Sequence, residues 1–184
     1  IGGRSFWRTN DGAENWERIS QAIPVGNISA MAIAPGNPDR VIFGTNTGRL
    51  YRSNTATKDN AESEWPFEFV RTNGYISWLE FDPNNQDIAY ATVSTFNNSS
   101  GEGHLFRSTD AGATWVRWDG SGDTGLPDLP AHSVAIDPAN SDHLYVGTDA
   151  GIFASFDGGK TWAKEDAGFV NTVVESMNIV RENG

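Results

Sequence analysis

Arg71, Tyr75, Trp78 and Glu80 place a guanidinium, two aromatic rings and a carboxyl group within one short stretch of this chain. Aromatic faces stack on sugar rings, and charged groups hydrogen-bond sugar hydroxyls, so the stretch is a candidate ligand site. Alternation along Tyr75–Phe81 makes some of the same residues plain core. A second group of carboxylates lies in Asp119-Gly-Ser-Gly-Asp123, followed by Asp128. Two aspartates spaced by small residues can wrap Ca²⁺ with backbone carbonyls, but a third acidic ligand and a closing Glu are missing. A glycine-rich turn is the plainer reading, and no metal or other cofactor is expected beyond that weak calcium possibility. A third stretch, Ser94–Gly103, is rich in Asn, Ser and Gly and carries Phe96 and Glu102. Loops on a rigid scaffold are where binding groups sit, so Phe96, Asp119, Asp123 and Asp128 join the candidates. Solvated connectors are the competing reading. His104 and His132 stand alone without cysteines, and neither a zinc site nor a Ser-His-Asp constellation can be assembled.

The elements that must position these residues are written in a repeat. Ser155–Trp162 reads Ser-Phe-Asp-Gly-Gly-Lys-Thr-Trp; Ser108–Trp115 is a near copy, and Thr9–Trp16 is a degraded one. Each follows a strand-like run. An Asp two residues after a hydroxyl can accept amide hydrogen bonds within a tight turn, while glycine reaches positive φ without a Cβ clash. The closing Trp packs its apolar body on a neighbouring unit while its N–H finds an acceptor. Asp11, Trp16, Asp110, Trp115, Asp157 and Trp162 are therefore structural candidates. Trp16, Trp65, Trp115 and Trp162 are spaced by 49, 50 and 47 residues. Ala34-Pro35, Asp82-Pro83 and Asp137-Pro138 keep that step, as do Gly44-Thr45, Ala91-Thr92 and Gly147-Thr148.

Four short strands per repeat of this length predict an all-β fold, a β-propeller of four-stranded antiparallel blades. Three complete blades are expected with partial blades at both ends: a partial blade over 1–24, blades over 25–73, 74–120 and 121–168, and a partial blade over 169–184. In the first complete blade the turn motif has decayed into the polar insertion Asn54–Glu64. Val173–Val180 reads as the first strand of a further blade. Exposed sheet edges must be paired or protected. The chain is thus read as a segment of a longer propeller, an unusual four-bladed ring, or a part completed by partner chains. Turns of the Ser155–Trp162 type fall on one face, and the candidate loops ring the channel mouth on the other.

The motif Ser/Thr-x-Asp-x-Gly-x-Thr-Trp resembles the Asp-box, or BNR repeat, of sialidases, xyloglucanase-type hydrolases, sortilin-like receptor domains and many non-enzymatic bacterial proteins. The resemblance covers essentially the whole chain and is closest in style to uncharacterised secreted BNR-repeat proteins, through Gly125-Leu126-Pro127-Asp128-Leu129-Pro130 and Leu144-Tyr145-Val146-Gly147-Thr148-Asp149. It implies an extracellular or cell-envelope location. The Arg-Ile-Pro element of sialidases is absent, and Arg71, Arg107 and Arg117 form no obvious triad. Xyloglucanase-like enzymes set acid and base on two propellers, which fewer than four blades cannot supply alone. The expectation is a non-catalytic scaffold binding a protein or glycan through its channel-mouth loops. The alternative is part of a xyloglucanase-like glycoside hydrolase with carboxylate acid/base chemistry.

Composition narrows the partners. A net charge of −11, with only 13 Lys and Arg, argues against nucleic acid and anionic membranes. Twenty glycines and seven tryptophans without helical periodicity suit an all-β chain. The absence of cysteine excludes disulfides. Asn27-Ile28-Ser29, Asn97-Asn98-Ser99 and Asn98-Ser99-Ser100 match the glycosylation triplet, a match too common to weigh.

Overall fold

The computed structural model describes residues 3–71, 74–96, 102–166 and 172–180. Among the described residues, strands β1 (Trp7–Arg8) and β2 (Glu17–Arg18) form a two-stranded sheet. The first four-stranded sheet holds β3 (Ile28–Ala34), β4 (Asn37–Thr45), β5 (Arg49–Ser53) and β6 (Phe67–Phe69). The second holds β7 (Ile76–Asp82), β8 (Asn85–Val93), β9 (Leu105–Ser108) and β10 (Val116–Arg117). The third holds β11 (Ala131–Ile136), β12 (Leu144–Thr148), β13 (Gly151–Ser155) and β14 (Ala163–Glu165). In each sheet the strands lie in chain order and run antiparallel, the meander of a propeller blade.

Alternation along each strand builds the core between successive sheets. Ile42 and Leu50 point forward to meet Ile76, Leu79, Phe81 and Phe106 of the second sheet. Val41, Phe43 and Tyr51 point back to Phe6, Ile19 and Trp65. Tyr90 and Leu105 meet Val134, Ile136, Leu144 and Trp162 in the same way. The sheets approach closely where a side chain is missing: a Cβ on Gly44 would lie 2.3 Å from Ile76 Cγ2.

Pairing fixes equivalent positions. Phe43, Ala91 and Val146 lie opposite Met31, Leu79 and Val134. Thr92-Val93 therefore stands where Gly44-Thr45 and Gly147-Thr148 stand, which corrects the sequence landmark Ala91-Thr92 by one residue. Register follows the face each side chain buries, and a small residue beside a threonine does not reveal it.

The three repeated turns share one hydrogen-bond plan. Thr9, Ser108 and Ser155 hydroxyls donate to Asp11, Asp110 and Asp157, each at 2.8 Å. Those carboxylates accept the amides of Asn15, Thr114 and Thr161 at 3.0, 2.8 and 2.9 Å, with a second bond from each of the same side chains. In the first complete blade the carboxylate is also present, four residues further along the chain. Asp59 accepts the hydroxyls of Ser53 and Thr55, so the insertion lengthens the turn without losing its clasp.

These bonds hold the ionised aspartates. The Asn15 amide and side chain lower Asp11 to about 2, and the Thr161 amide and hydroxyl lower Asp157 to about 2. Burial would raise Asp110, but the bonds from Thr114 and Ser108 outweigh it and leave it lowered. A carboxyl group with a lowered folded pKa stabilises the fold above its unfolded value, and that contribution is lost as pH falls through the folded value. The urea midpoint is thus expected to fall between about pH 3.8 and about pH 2. Asp157→Asn should flatten part of that fall, and an unchanged pH profile would contradict the clasp.

The closing tryptophans differ in their surroundings. Trp65 and Trp162 are buried, yet their Nε1 atoms meet no acceptor among the described residues, against expectation. Trp115 Nε1 donates to the Gly112 carbonyl at 3.2 Å. Trp16 is 46 % exposed, since no sheet precedes it among the described residues. No strand is assigned within 172–180, contrary to the reading of Val173–Val180. A strand requires a ladder partner, and among the described residues of this segment the Val174 amide finds one, on the Thr148 carbonyl at 3.0 Å. Val174 nevertheless sits against Gly147 as Ile76 sits against Gly44, in the place of an innermost strand.

Candidate functional site in the channel wall

The innermost strands β3, β7 and β11, together with segment 172–180, surround a cavity of about 390 Å³. Met31, Ile33, Trp78, Glu80, Ile136 and Ile179 are among its walls. Trp78 and Glu80 both lie on β7, and Trp78 Nε1 donates to Glu80 Oε2 at 3.0 Å. Burial pushes the Glu80 carboxyl above its ordinary 4.5, and the bonds from Trp78 and the Ile136 amide offset only part of that. A carboxyl group held toward its protonated form beside an aromatic wall can donate a proton to a bound ligand. Glu80 is the only ionisable side chain among the described residues lining this cavity.

The repeat itself marks these two residues. Glu80 lies opposite Tyr90 as Ala32 lies opposite Ile42 and Ala135 opposite Tyr145. Trp78 lies opposite Thr92 as Ala30 lies opposite Gly44 and Ser133 opposite Gly147. Where the other two blades carry small residues, this one carries an indole and a carboxyl group.

The remaining candidates gather on the loop rim. Arg71 is buried, and its guanidinium donates to the carbonyls of Thr95 and Phe96 at 2.9 and 2.8 Å, with Glu102 at 3.3 Å. It tethers the loop that carries Phe96. Tyr75 and Phe96 themselves are exposed. Asp119 is buried and accepts the Leu105 amide and Arg117 Nε, each at 2.6 Å, along with the His104 amide. Asp128 meets His104 Nε2 at 3.0 Å, while His104 Nδ1 faces the Val93 carbonyl at 3.0 Å. The structure thus joins Arg71, Tyr75 and Phe96 through one loop, and Asp119 and Asp128 through His104. Asp123 stands apart in an exposed 3-10 turn, Gly122–Thr124. Trp78 and Glu80 lie in the channel wall, away from that hydrogen-bonded rim cluster. No group of three or more His, Cys, Asp or Glu among the described residues is placed to hold a metal ion. Residues 97–101 of the rim loop, with the triplets at Asn97 and Asn98, lie outside the described residues. The wall residues Met31, Ile33 and Ile136 were not candidates, because apolar side chains on an inner strand read as core; Met31 and Ile33 are instead exposed.

Relatives of known name share this framework. A xyloglucanase from Hypocrea jecorina (strain QM6a) is 28% identical over 172 residues, covering 83% of this chain and 19% of the relative. A xyloglucanase from a Paenibacillus species is 29% identical over 170 residues, covering 81% and 15%. The chain thus spans less than a fifth of the length of these relatives. Among solved structures, an ancestral GH74 enzyme superposes with a TM-score of 0.65 at 24% identity, over 90% of this chain and 22% of that one. YCF48 from Cyanidioschyzon merolae superposes with a TM-score of 0.53 at 20% identity, over 74% and 36%. Both structural likenesses show the propeller fold alone. No helix among the described residues is long and apolar enough to cross a membrane. The family model described as Sortilin, neurotensin receptor 3 matches residues 4–119, more than half of the chain, and the chain belongs to that Sortilin-Vps10 family of propellers.

Proposed function

We propose that the chain is the glycan-contacting part of a xyloglucanase-like propeller, working outside the cell, with Glu80 as its proton donor. The observation that carries this reading is the Glu80 carboxyl, bonded to the Trp78 indole in the wall of a cavity and pushed upward by burial. The names of the two xyloglucanase relatives support the substrate class. Trp78 would stack on a sugar ring, and Glu80 would protonate the departing glycosidic oxygen. Glycoside hydrolysis uses a second carboxyl group about 5 to 9.5 Å from the first. Among the described residues lining the cavity, Glu80 is the one carboxyl group. This reading replaces the non-catalytic scaffold expected at the outset as the better supported one.

Calorimetric titration with a xyloglucan oligosaccharide tests the reading. Saturable binding is expected, weakened about tenfold by Trp78→Ala, the equivalent of the roughly 1.4 kcal/mol that a good aromatic contact contributes. Absence of binding, or binding indifferent to Trp78, would overturn it. A peptide ligand on the rim is a second reading, favoured by the exposed rings of Tyr75 and Phe96. In that case Phe96→Ala, and not Trp78→Ala, should weaken capture of the peptide.

A further inference from the structure

The outer half of the first four-stranded sheet departs from the repeat in its own way. Tyr51 lies opposite Phe43, as Phe106 lies opposite Ala91 and Phe153 opposite Val146, so this sheet adds a hydroxyl where the others carry a bare phenyl ring. Phe67, opposite Tyr51 on β6, stands where the other sheets carry Arg117 and Lys164. Phe67 and Phe69 are both half exposed, and the Arg49 guanidinium lies 5.6 and 5.4 Å from their ring centres. Beside them lies a groove of about 260 Å³, between residues 20–24 and the side chains of Phe43, Tyr51, Trp65 and Phe67, with exposed Glu64 at its border. Gln21 ties the two walls together. Its amide donates to the Ser63 carbonyl and its Nε2 to the Glu62 carbonyl, each at 2.9 Å. Tyr51 and Trp65 are 4 and 5 % exposed, yet the Tyr51 hydroxyl and Trp65 Nε1 meet no partner among the described residues. Such unpaired buried donors are costly, and an occupant that brings acceptors would relieve them.

We propose that this groove binds one ring of a neutral sugar, a second glycan contact on the outer strand, separate from the Trp78–Glu80 cavity on the innermost ones. The choice of a sugar rests on the glycan reading above; the choice of place does not. Sugar rings offer flat C–H faces to aromatic side chains, and the exposed rings of Phe67 and Phe69 supply such surfaces. Hydroxyl groups both accept and donate. They can accept from Tyr51 and Trp65 and donate to Glu64, the one charged side chain among the described residues lining the groove. An anionic ligand would meet that carboxylate as a like charge. A proline-rich peptide brings carbonyl acceptors, but proline has no N–H to offer Glu64. Both buried donors are screened from solvent, so the sugar reaches them as the exposed Phe67 ring swings outward.

The test follows the indole N–H resonances of Trp65 and Trp78 in one two-dimensional NMR titration with a xyloglucan oligosaccharide. Trp65 is expected to shift saturably, and Phe67→Ala to weaken that response about tenfold while leaving the Trp78 response unchanged. Tyr51→Phe should weaken it by about threefold or more and leave the thermal midpoint equal or higher, because it removes an unpaired buried hydroxyl. A hydroxyl that only supports the fold would give the opposite pattern, a lower midpoint with an unchanged response, and would overturn the proposal. Phe67 is half exposed, and phenylalanine takes the place of Tyr51 in both other sheets, so both variants should fold. A Trp65 resonance indifferent to the sugar while Trp78 responds would overturn this site and keep the channel-wall reading. A response at Trp65 alone would support this site and overturn that reading, and silence at both would overturn both. A proline-rich peptide that shifts Trp65 where the sugar does not would likewise overturn the sugar assignment.

Discussion

Glu80→Gln is expected to lower xyloglucan hydrolysis by about 10²- to 10⁴-fold, the usual worth of a positioned general acid, and to raise the thermal midpoint at neutral pH. The amide keeps an oxygen for the Trp78 indole but has no proton to give. The stability effect follows from the raised folded pKa. Below the ordinary value both folded and unfolded states are protonated and the cost is absent. As pH rises through the folded value, a carboxylate forms in a site that disfavours it, and stability falls. Glutamine stays neutral throughout and escapes that loss. Opposite changes in rate and stability, read from initial rates and thermal melts, are the result expected if Glu80 is the proposed proton donor. A variant with an unchanged rate would remove Glu80 from the chemistry.

Phe43→Ala is expected to cost about 3 to 5 kcal/mol, the range for removing a buried aromatic ring. Phe43 is fully buried. Its ring lies 5.8, 4.8 and 5.3 Å from those of Phe6, Tyr51 and Trp65. It therefore joins the β1–β2 hairpin to the first complete sheet. A two-stranded hairpin is marginal by itself, so losing this contact should free it. Against a typical total of about 5 to 15 kcal/mol, the loss approaches global unfolding. Urea denaturation should show the fall in midpoint; a loss below about 1 kcal/mol would mean the aromatic cluster is not what holds the hairpin.

The propeller was legible because the repeat states it several times: turn residues, closing tryptophans and proline landmarks all recur at one step. Finer features depend on pairing, which sequence spacing does not record. The one-residue error at Ala91-Thr92 arose because the threonine takes the place that glycine holds in the other sheets. The clasp at Asp59 was hidden because a longer turn moves the carboxylate along the chain while keeping its position in space. Trp78 and Glu80 were visible as candidates, and aligning the three proline landmarks would have sharpened them, since alanine or serine stands at their equivalents. Arg71 and Asp119 show the opposite case. Their charges suggested ligand contacts, but both are buried and bonded to loop backbone, a role that only the fold reveals.

The proposed proton donor must keep its proton above the ordinary glutamate range. A ¹³C NMR titration of the Glu80 carboxyl group, run with and without a xyloglucan oligosaccharide, measures this directly. A midpoint above 4.5 that moves when the sugar is present is the predicted result. A midpoint at or below 4.5, indifferent to the sugar, would contradict it.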